Sequence, residues 1–177
     1  MKAALIIVDV QTGVAVKDIY NREQVLGNIA DLLAFCRELQ LDILYIRHDD
    51  GPESDLTIGS DAWQIVPLLK PAPGEMIFDK KYNSMFYKTA VRGYLSDRGI
   101  DTILLTGLQT EYCIDASCKA GFEHGYRVII PEDTTSTRDN GTFSGRQLHE
   151  FFTYKIWQGR YAEVVPLTAL KKRLAVQ

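Results

Sequence analysis

Cys113 is the residue whose type and position most clearly suggest chemistry. It lies in the segment Thr-Gly-Leu-Gln-Thr-Glu-Tyr-Cys-Ile-Asp, after the apolar run 103–105 and at the start of a helical pattern. The first turn of a helix has unpaired backbone N–H groups and the positive end of the helix dipole, and both favour thiolate over thiol. Most free cysteines are small buried hydrophobes, so this position alone leaves a nucleophile and a core residue equally open.

Two further reactive groups follow apolar segments of the chain. Asp9 ends the run 5–8, and Lys80 follows the segment 76–79. Ligands of open α/β sheets bind beyond the carboxyl ends of the strands, so these groups and Cys113 are expected at one edge of a sheet. Asp9 could instead be a turn-forming acid, and Lys80 by itself is more simply a surface lysine. The coincidence of acid, amine and thiol favours a site.

Short apolar runs rich in Ile, Val and Leu alternate with segments of helical spacing. The predicted strands are residues 3–10, 43–47, 76–79, 102–106, 126–131 and 162–165. Helical periodicity is present at residues 25–39, 90–98, 114–123 and 144–155. This alternation predicts an α/β fold with helices on both faces of a parallel sheet. The polar segment 49–60 predicts a long loop beside the site, which makes it a candidate lid.

The composition indicates one globular domain over residues 1–177, in which 46% of the residues are hydrophobic and 24% charged. A net charge of −3 without a basic cluster argues against nucleic-acid and membrane partners. Asp9 interrupts the N-terminal apolar run, so a signal peptide is not expected. Three cysteines without a C-x-x-C pair indicate reduced thiols and a cytoplasmic location.

The remaining cysteines and the histidines have simple structural interpretations. Cys36 lies on the apolar face of the first predicted helix, and Cys118 lies on a different helix face from Cys113. Three histidines are scattered without a metal-binding motif: His48, His124 and His149. We therefore expect no bound metal and no cofactor.

Three segments match the motifs of a known family. They are Ile-Ile-Val-Asp-Val-Gln with Asp9, Lys-Lys-Tyr-Asn-Ser-Met-Phe with Lys80, and the segment of Cys113. In this order they resemble the isochorismatase-like cysteine hydrolase family, and the resemblance covers nearly the whole chain. It implies a three-layer α-β-α fold around a mostly parallel six-stranded sheet and a catalytic triad of Asp9, Lys80 and Cys113. The choice of Lys80 over Lys81 rests on counting back six positions from Phe86.

The resemblance also implies a reaction, the hydrolysis of an amide or lactam C–N bond in a small molecule. Asp9 would act as general base, Lys80 would stabilise the thiolate, and Cys113 would attack the carbonyl to form a thioester. Backbone N–H groups of Gln109 and Cys113 would hold the oxyanion, next to a cis peptide after Leu108. The motifs look most like those of the small amidases and of streptothricin hydrolase, which opens a lactam.

Other functions remain open. Isochorismatases of the family replace the cysteine, whereas Cys113 is present. Nicotinamidases add an Asp-x-His and a further histidine that bind a metal, which His48-Asp49-Asp50 does not clearly match. The fold could also serve as a non-catalytic small-molecule-binding module, although an intact triad favours an enzyme.

The substrate pocket is predicted from polar and aromatic residues near the motifs. These residues are Gln11, Tyr82, Phe86, Tyr112 and Trp157. Aromatic residues at such positions more often belong to the core. The acids near the expected mouth, which are Glu111, Asp115, Asp49 and Asp50, favour a neutral or cationic substrate. Family members are usually dimers or tetramers, and the apolar residues of segment 143–157 predict a homodimer or homotetramer interface.

Overall fold

The computed structural model describes residues 1–176 and contains a sheet of seven strands. The strands are β1 (Ala3–Val8), β2 (Asp42–His48), β3 (Met76–Lys80), β4 (Thr102–Leu108), β5 (Arg127–Pro131), β6 (Thr135–Ser136) and β7 (Glu163–Val165). Their order is β3-β2-β1-β4-β5-β7, with β6 paired to the end of β4. Every strand pair is parallel, which confirms the predicted α/β fold. Only β6 was not predicted, because two residues are too few to form a pattern.

Five α-helices connect and cover the strands. They are α1 (Arg22–Glu38), α2 (Val91–Asp97), α3 (Asp115–Glu123), α4 (Gly145–Phe151) and α5 (Leu167–Ala175). Single π-helical turns precede α3 (Thr110–Ile114) and follow α4 (Phe152–Trp157). The first four helices match the predicted segments to within a few residues. Helix α5 lies outside the four predicted helical segments, although its buried Leu170 and Leu174 have the spacing of one helix face.

Both faces of the sheet are buried, as β1 illustrates. Leu5 and Ile7 pack in the cluster that includes Ile29 of α1. Ile6 and Val8 point to the opposite face and pack in the cluster that includes Ile114. Because both faces are covered, the strand is apolar throughout instead of alternating with polar residues. Each fully buried Ile or Leu contributes roughly 1.5–3 kcal/mol, so β1 anchors the three layers together.

The carboxyl ends of β1, β3 and β4 bring the reactive groups together. Asp9 follows β1, Lys80 ends β3, and β4 leads through Gln109 into the turn that contains Cys113. The predicted first strand ends two residues early, at Val8, because Asp9 adopts a left-handed conformation with a φ of 52° that turns the chain. No helix within residues 1–176 is long and apolar enough to cross a membrane.

Candidate active site

The structure brings the three predicted reactive side chains into direct contact. The Lys80 ammonium donates a hydrogen bond of 2.7 Å to Asp9 Oδ2 and lies 3.2 Å from Cys113 Sγ. The side chain of Lys80 is 0% exposed, whereas that of Lys81 is 69% exposed and lies beside Asp49. The neighbouring lysine therefore cannot take the place of Lys80 in this cluster.

A fourth side chain, His48, completes the surroundings of the ammonium. Its Nδ1 lies 2.9 Å from Lys80 Nζ, and its Nε2 lies 2.7 Å from Asp50 Oδ1. His48 was expected to be one of three scattered histidines without a metal-binding motif. The signal that could have identified it is its position at the end of a predicted strand, at the same sheet edge as Asp9 and Lys80.

The surroundings of the Cys113 thiol favour its protonated form. Burial and then the neighbouring Asp9 carboxylate raise the pKa of Cys113 to about 12, and the opposing effect of Lys80 is smaller. Burial and Asp9 thus oppose the effect expected from the helix start in the resting site. Removal of the sulfur from water outweighs the favourable charges around it.

Asp9 has an oxygen that is free to accept this proton. Its Oδ1 is buried and has no hydrogen-bond partner in the described chain, while Oδ2 is held by Lys80. A buried carboxylate oxygen without a donor is costly, and a proton from a neighbouring thiol or water would satisfy it.

The turn before α3 presents backbone groups to the same place. The peptide bond between Leu108 and Gln109 is cis, as the resemblance implied. The carbonyl of Gln109 accepts hydrogen bonds from the N–H groups of Tyr112 and Ile114, both at 3.2 Å, and so closes the turn around Cys113. Residues of such a turn have backbone N–H groups without helical partners, which can bind a developing oxyanion.

These groups open onto a cavity of about 480 Å³, a volume typical of small-molecule sites. Its lining comes from several separate segments: Asp9, Gly13, Val14, His48, Asp50, Ser54, Asp55, Leu56, Ala62, Asn83, Gln109, Tyr112, Cys113 and Arg138. The predicted loop 49–60 contributes four of these residues, so we call residues 49–60 the lid segment. Asn83 and Arg138 were not predicted. Asn83 lies within the quoted motif of Lys80, and its Oδ1 is 3.8 Å from Cys113 Sγ, whereas Arg138 reaches the cavity through the tertiary fold.

Of the five predicted pocket residues, Tyr112 lies on the wall of this cavity. Trp157 does not: it is 0% exposed, and its indole N–H donates to Asp115 at 2.9 Å. Phe86 is also in the core, where its ring lies 5.0 Å from the His124 ring. Both positions correct the prediction, because the apolar rings are drawn into the packed layer beneath α3.

Tyr82 and Gln11 also lie outside the cavity lining. Tyr82 is 45% exposed and packs edge-to-face on Tyr87 over a neighbouring depression. Gln11 is fully buried and holds backbone groups of His48 and Trp63 with its amide. Its role in the structure is to join the end of β2 to the chain beyond the lid segment.

Possible metal ligands in the described chain coincide with this site. Ligand atoms of Asp9, His48 and Cys113 lie within 4.8 Å of one another. The ammonium of Lys80 contacts all three groups. A metal cation would be repelled by this buried positive charge, so the arrangement fits a lysine-centred site better than a metal site.

Comparison with known proteins identifies the family. The profile of the isochorismatase domain matches residues 3–154. The chain belongs to the isochorismatase family. It is therefore an isochorismatase-family hydrolase. Its mostly parallel sheet flanked by helices is the fold of its structural neighbours.

The isochorismatase-family hydrolase has curated relatives of known and unknown activity. It is 32% identical over 138 residues to the uncharacterized isochorismatase family protein YrdC of Bacillus subtilis strain 168, covering 76% of this chain and 74% of that protein. It is 26% identical over 138 residues to streptothricin hydrolase of Streptomyces noursei, covering 77% and 50%. It is 29% identical over 111 residues to maleamate amidohydrolase of Pseudomonas putida strain KT2440, covering 63% and 49%.

The match thus spans about half the length of the two relatives with named activities. Among solved structures, an isochorismatase family protein superposes with a TM-score of 0.87 at 28% identity, covering 93% of this chain and 98% of that one. Relatives of this hydrolase therefore include amidohydrolases, which cleave C–N bonds.

Proposed function

We propose that this isochorismatase-family hydrolase cleaves the C–N bond of a small amide or lactam through a thioester on Cys113. One observation carries the proposal. A single buried ammonium, that of Lys80, contacts both the carboxylate of Asp9 and the sulfur of Cys113, while the second oxygen of Asp9 has no hydrogen-bond partner among residues 1–176. This arrangement provides a nucleophile, a base for its proton and a fixed positive charge.

The first half of the reaction forms the thioester. Asp9 Oδ1 takes the thiol proton as Cys113 Sγ attacks the carbonyl carbon, and Lys80 stabilises the negative charge as it moves from sulfur to substrate. The oxyanion is bound by the backbone N–H groups of Gln109 and Cys113. When the tetrahedral intermediate collapses, the C–N bond breaks and the leaving nitrogen takes the proton from Asp9.

The second half restores the enzyme. Water attacks the thioester carbonyl, and Asp9 accepts one of its protons. The C–S bond then breaks, the proton returns to Cys113, and the carboxylic acid leaves. In each half-reaction Asp9 therefore accepts one proton and then donates it. A carboxylate oxygen free of other hydrogen bonds can do this.

The buried ion pair also argues against a purely binding role. Removing a carboxylate and an ammonium from water costs several kcal/mol for each ion, and a binding module would gain nothing from this cost. The side chains of Asp9 and Lys80 are 3% and 0% exposed, so the full desolvation cost applies to both. Transition-state stabilisation in a site of low polarity is a function that requires such a pair.

The size and charge of the cavity suit a small neutral or dipolar amide. Its wall carries Asp50 and Asp55 together with Arg138, so both signs of charge are present. Asp115, an acid expected at the mouth, is instead bound by Lys119 and by Trp157. The expectation of a neutral or cationic substrate therefore loses the support of Asp115 and keeps that of Asp50.

The decisive experiment is an amide and lactam panel assayed by amine release, combined with mass spectrometry of the enzyme during turnover. Wild type should hydrolyse at least one compound and carry an acyl group on Cys113. Cys113→Ala should lose about 10³-fold or more of the rate on that compound. Cys118→Ala, a matched change of a buried thiol on α3, should keep it. Unchanged hydrolysis by Cys113→Ala would overturn the mechanism.

Self-association is a separate proposal. Phe143, Phe151 and Tyr154 are each about half exposed on one face of the α4 region, where an apolar depression is lined mainly by aromatic rings. We infer that this face joins two copies of the chain. Phe152, also expected there, lines this depression and packs on the ring of Trp157, whereas Trp157 itself is fully buried. Size-exclusion chromatography with light scattering should give a dimer or tetramer, and a monomer would overturn the inference.

A further inference from the structure

We propose that His48 is a positioning residue, which orients the Lys80 ammonium by accepting its remaining N–H and which links that lysine to the lid segment. The inference rests on the proposed function, because it concerns the same lysine. It adds a residue that does not touch the reacting atoms and acts through Lys80.

The geometry of the ammonium carries the proposal. An ammonium has three N–H donors and no acceptor. Three acceptors surround Lys80 Nζ: Asp9 Oδ2 at 2.7 Å, His48 Nδ1 at 2.9 Å and Cys113 Sγ at 3.2 Å. With all three donors matched, the ammonium, whose side chain is 0% exposed, cannot rotate without breaking a hydrogen bond. His48 thereby determines how the other two donors point at the base and at the nucleophile.

The same contacts determine the protonation of His48. Lys80 can only donate, so Nδ1 must accept and the proton of the neutral ring lies on Nε2. That Nε2–H donates to Asp50 Oδ1 at 2.7 Å. Asp50 belongs to the lid segment and lines the cavity. A chain of hydrogen bonds therefore runs from the lid segment through His48 to the catalytic lysine.

The backbone of His48 is held as firmly as its ring. Gln11 Oε1 accepts from the His48 N–H at 2.7 Å, and Gln11 Nε2 donates to the His48 carbonyl at 2.9 Å. The same amide donates to the Trp63 carbonyl at 3.0 Å, just after the lid segment. Gln11 is 0% exposed. This clamp leaves the imidazole little freedom and explains how a strand end can position a lysine on the next strand.

Two substitutions of similar polarity separate the role of Nδ1 from a general effect on folding. In His48→Asn, the side-chain oxygen can occupy the place of Nδ1, one bond from Cγ. In His48→Gln, the amide reaches toward the place of Nε2 and cannot replace Nδ1. A matched control is His124→Asn, whose ring packs on Phe86 away from the ammonium. Thermal unfolding should confirm that all three variants are folded.

The readouts are the rate of Cys113 alkylation by iodoacetamide from pH 6 to about 10 and the kinetics on the amide found in the panel. A less well oriented ammonium stabilises the thiolate less, and alkylation slows about tenfold for each unit by which the thiol pKa rises. We expect His48→Gln to slow alkylation about tenfold and to lower kcat about 10–100-fold, with KM within about twofold. His48→Asn should recover most of both rates, and His124→Asn should match wild type.

Lys80→Ala separates the failure of this inference from that of the proposed function. Suppose that Lys80→Ala slows alkylation, while the alkylation rate and kcat of His48→Gln equal those of either wild type or His48→Asn. In that case His48 does not position the lysine, and the proposed function stands. If Lys80→Ala leaves alkylation and hydrolysis unchanged, the proposed function fails and this inference fails with it. A variant of His48 that does not fold is replaced by Asp50→Ala, which should alter the same two rates in the same direction.

Discussion

Lys80 and Asp9 form a hydrogen bond of 2.7 Å although they are 71 positions apart and end strands that are not neighbours in the sheet. The bond uses one carboxylate oxygen and leaves the other buried and unpaired. Two roles are thus divided between two atoms of one side chain. Oδ2 fixes the ammonium, and Oδ1 is available for proton transfer to and from Cys113 or water.

The division of roles predicts opposite effects on the thiol. Asp9 raises the pKa of Cys113 and Lys80 lowers it. Asp9→Asn should therefore lower that pKa and speed alkylation at pH 7–8, while it lowers hydrolysis by about 10²–10⁴-fold because the base is lost. Lys80→Ala should slow alkylation and also impair hydrolysis. The check is the pH–rate profile of Cys113 labelling by peptide mass spectrometry, and shifts in the same direction would contradict the arrangement.

Gly107→Ala should severely destabilise the protein. Gly107 has a φ of 116°, and a Cβ there would lie 2.0 Å from the carbonyl oxygen of Val8. Because β4 must approach β1 this closely, the backbone has to shift, and we expect a loss of about 4 kcal/mol or more. Gly93→Ala is the control, since a Cβ at that position in α2 meets nothing within 4 Å and should stabilise by up to about 1 kcal/mol. Urea unfolding measures both, and equal stabilities would contradict the close approach.

Trp157→Phe should affect stability and spare catalysis. The indole is fully buried and donates to Asp115, so phenylalanine loses this hydrogen bond and part of the packed ring. We expect a decrease of about 1–3 kcal/mol in the free energy of unfolding. Because Trp157 does not line the cavity, KM should stay within about twofold. A large rise in KM at unchanged stability would instead indicate that Trp157 belongs to the substrate site.

Glu163→Gln should reveal a stabilising contact that is lost in acid. Hydrogen bonds from Arg173, and then from Arg127, lower the pKa of Glu163 to about 2 and tie β7 to α5. A depressed pKa contributes stability that is fully present above the unfolded value and disappears as the pH falls through the folded value. The difference in unfolding free energy between wild type and Glu163→Gln should be about 1 kcal/mol at pH 7 and should shrink between pH 5 and 2.

The control for this effect is Glu150→Gln, which removes an exposed pair with Arg146 within one helix. That pair should contribute no more than about 0.5 kcal/mol. Urea unfolding at several pH values compares the two variants. A difference for Glu163→Gln that stays constant down to pH 2 would contradict the assigned cause.

Much of the fold was predictable from local sequence. Apolar runs that end in a polar residue marked six of the strands and, with them, the sheet edge where Asp9 and Lys80 lie. The exceptions are informative. β6 has two residues, which are too few to form a pattern, whereas α5 has buried leucines at helical spacing but lay outside the four predicted segments.

The candidate site was predictable only in part. A resemblance in motif order identified the acid, the amine and the thiol, and the structure brings them together. The pocket was predicted poorly: among the aromatic residues near the motifs, Phe86 and Trp157 turned into the core and Tyr82 to another surface. The direction in which an aromatic ring points depends on packing against segments distant in sequence. Proximity to a motif in the sequence therefore does not predict that direction.

The sequence by itself determined the order of the strands and helices and the residue types that meet at one sheet edge, because periodicity and strand ends are local properties. The tertiary structure decided the state and partners of those residues. Burial by residues far apart in sequence raises the pKa of Cys113, and the pairing of β2 with β3 places His48 beside the ammonium of Lys80. Desolvation and hydrogen-bond geometry arise from contacts across the fold, so no local pattern encodes them.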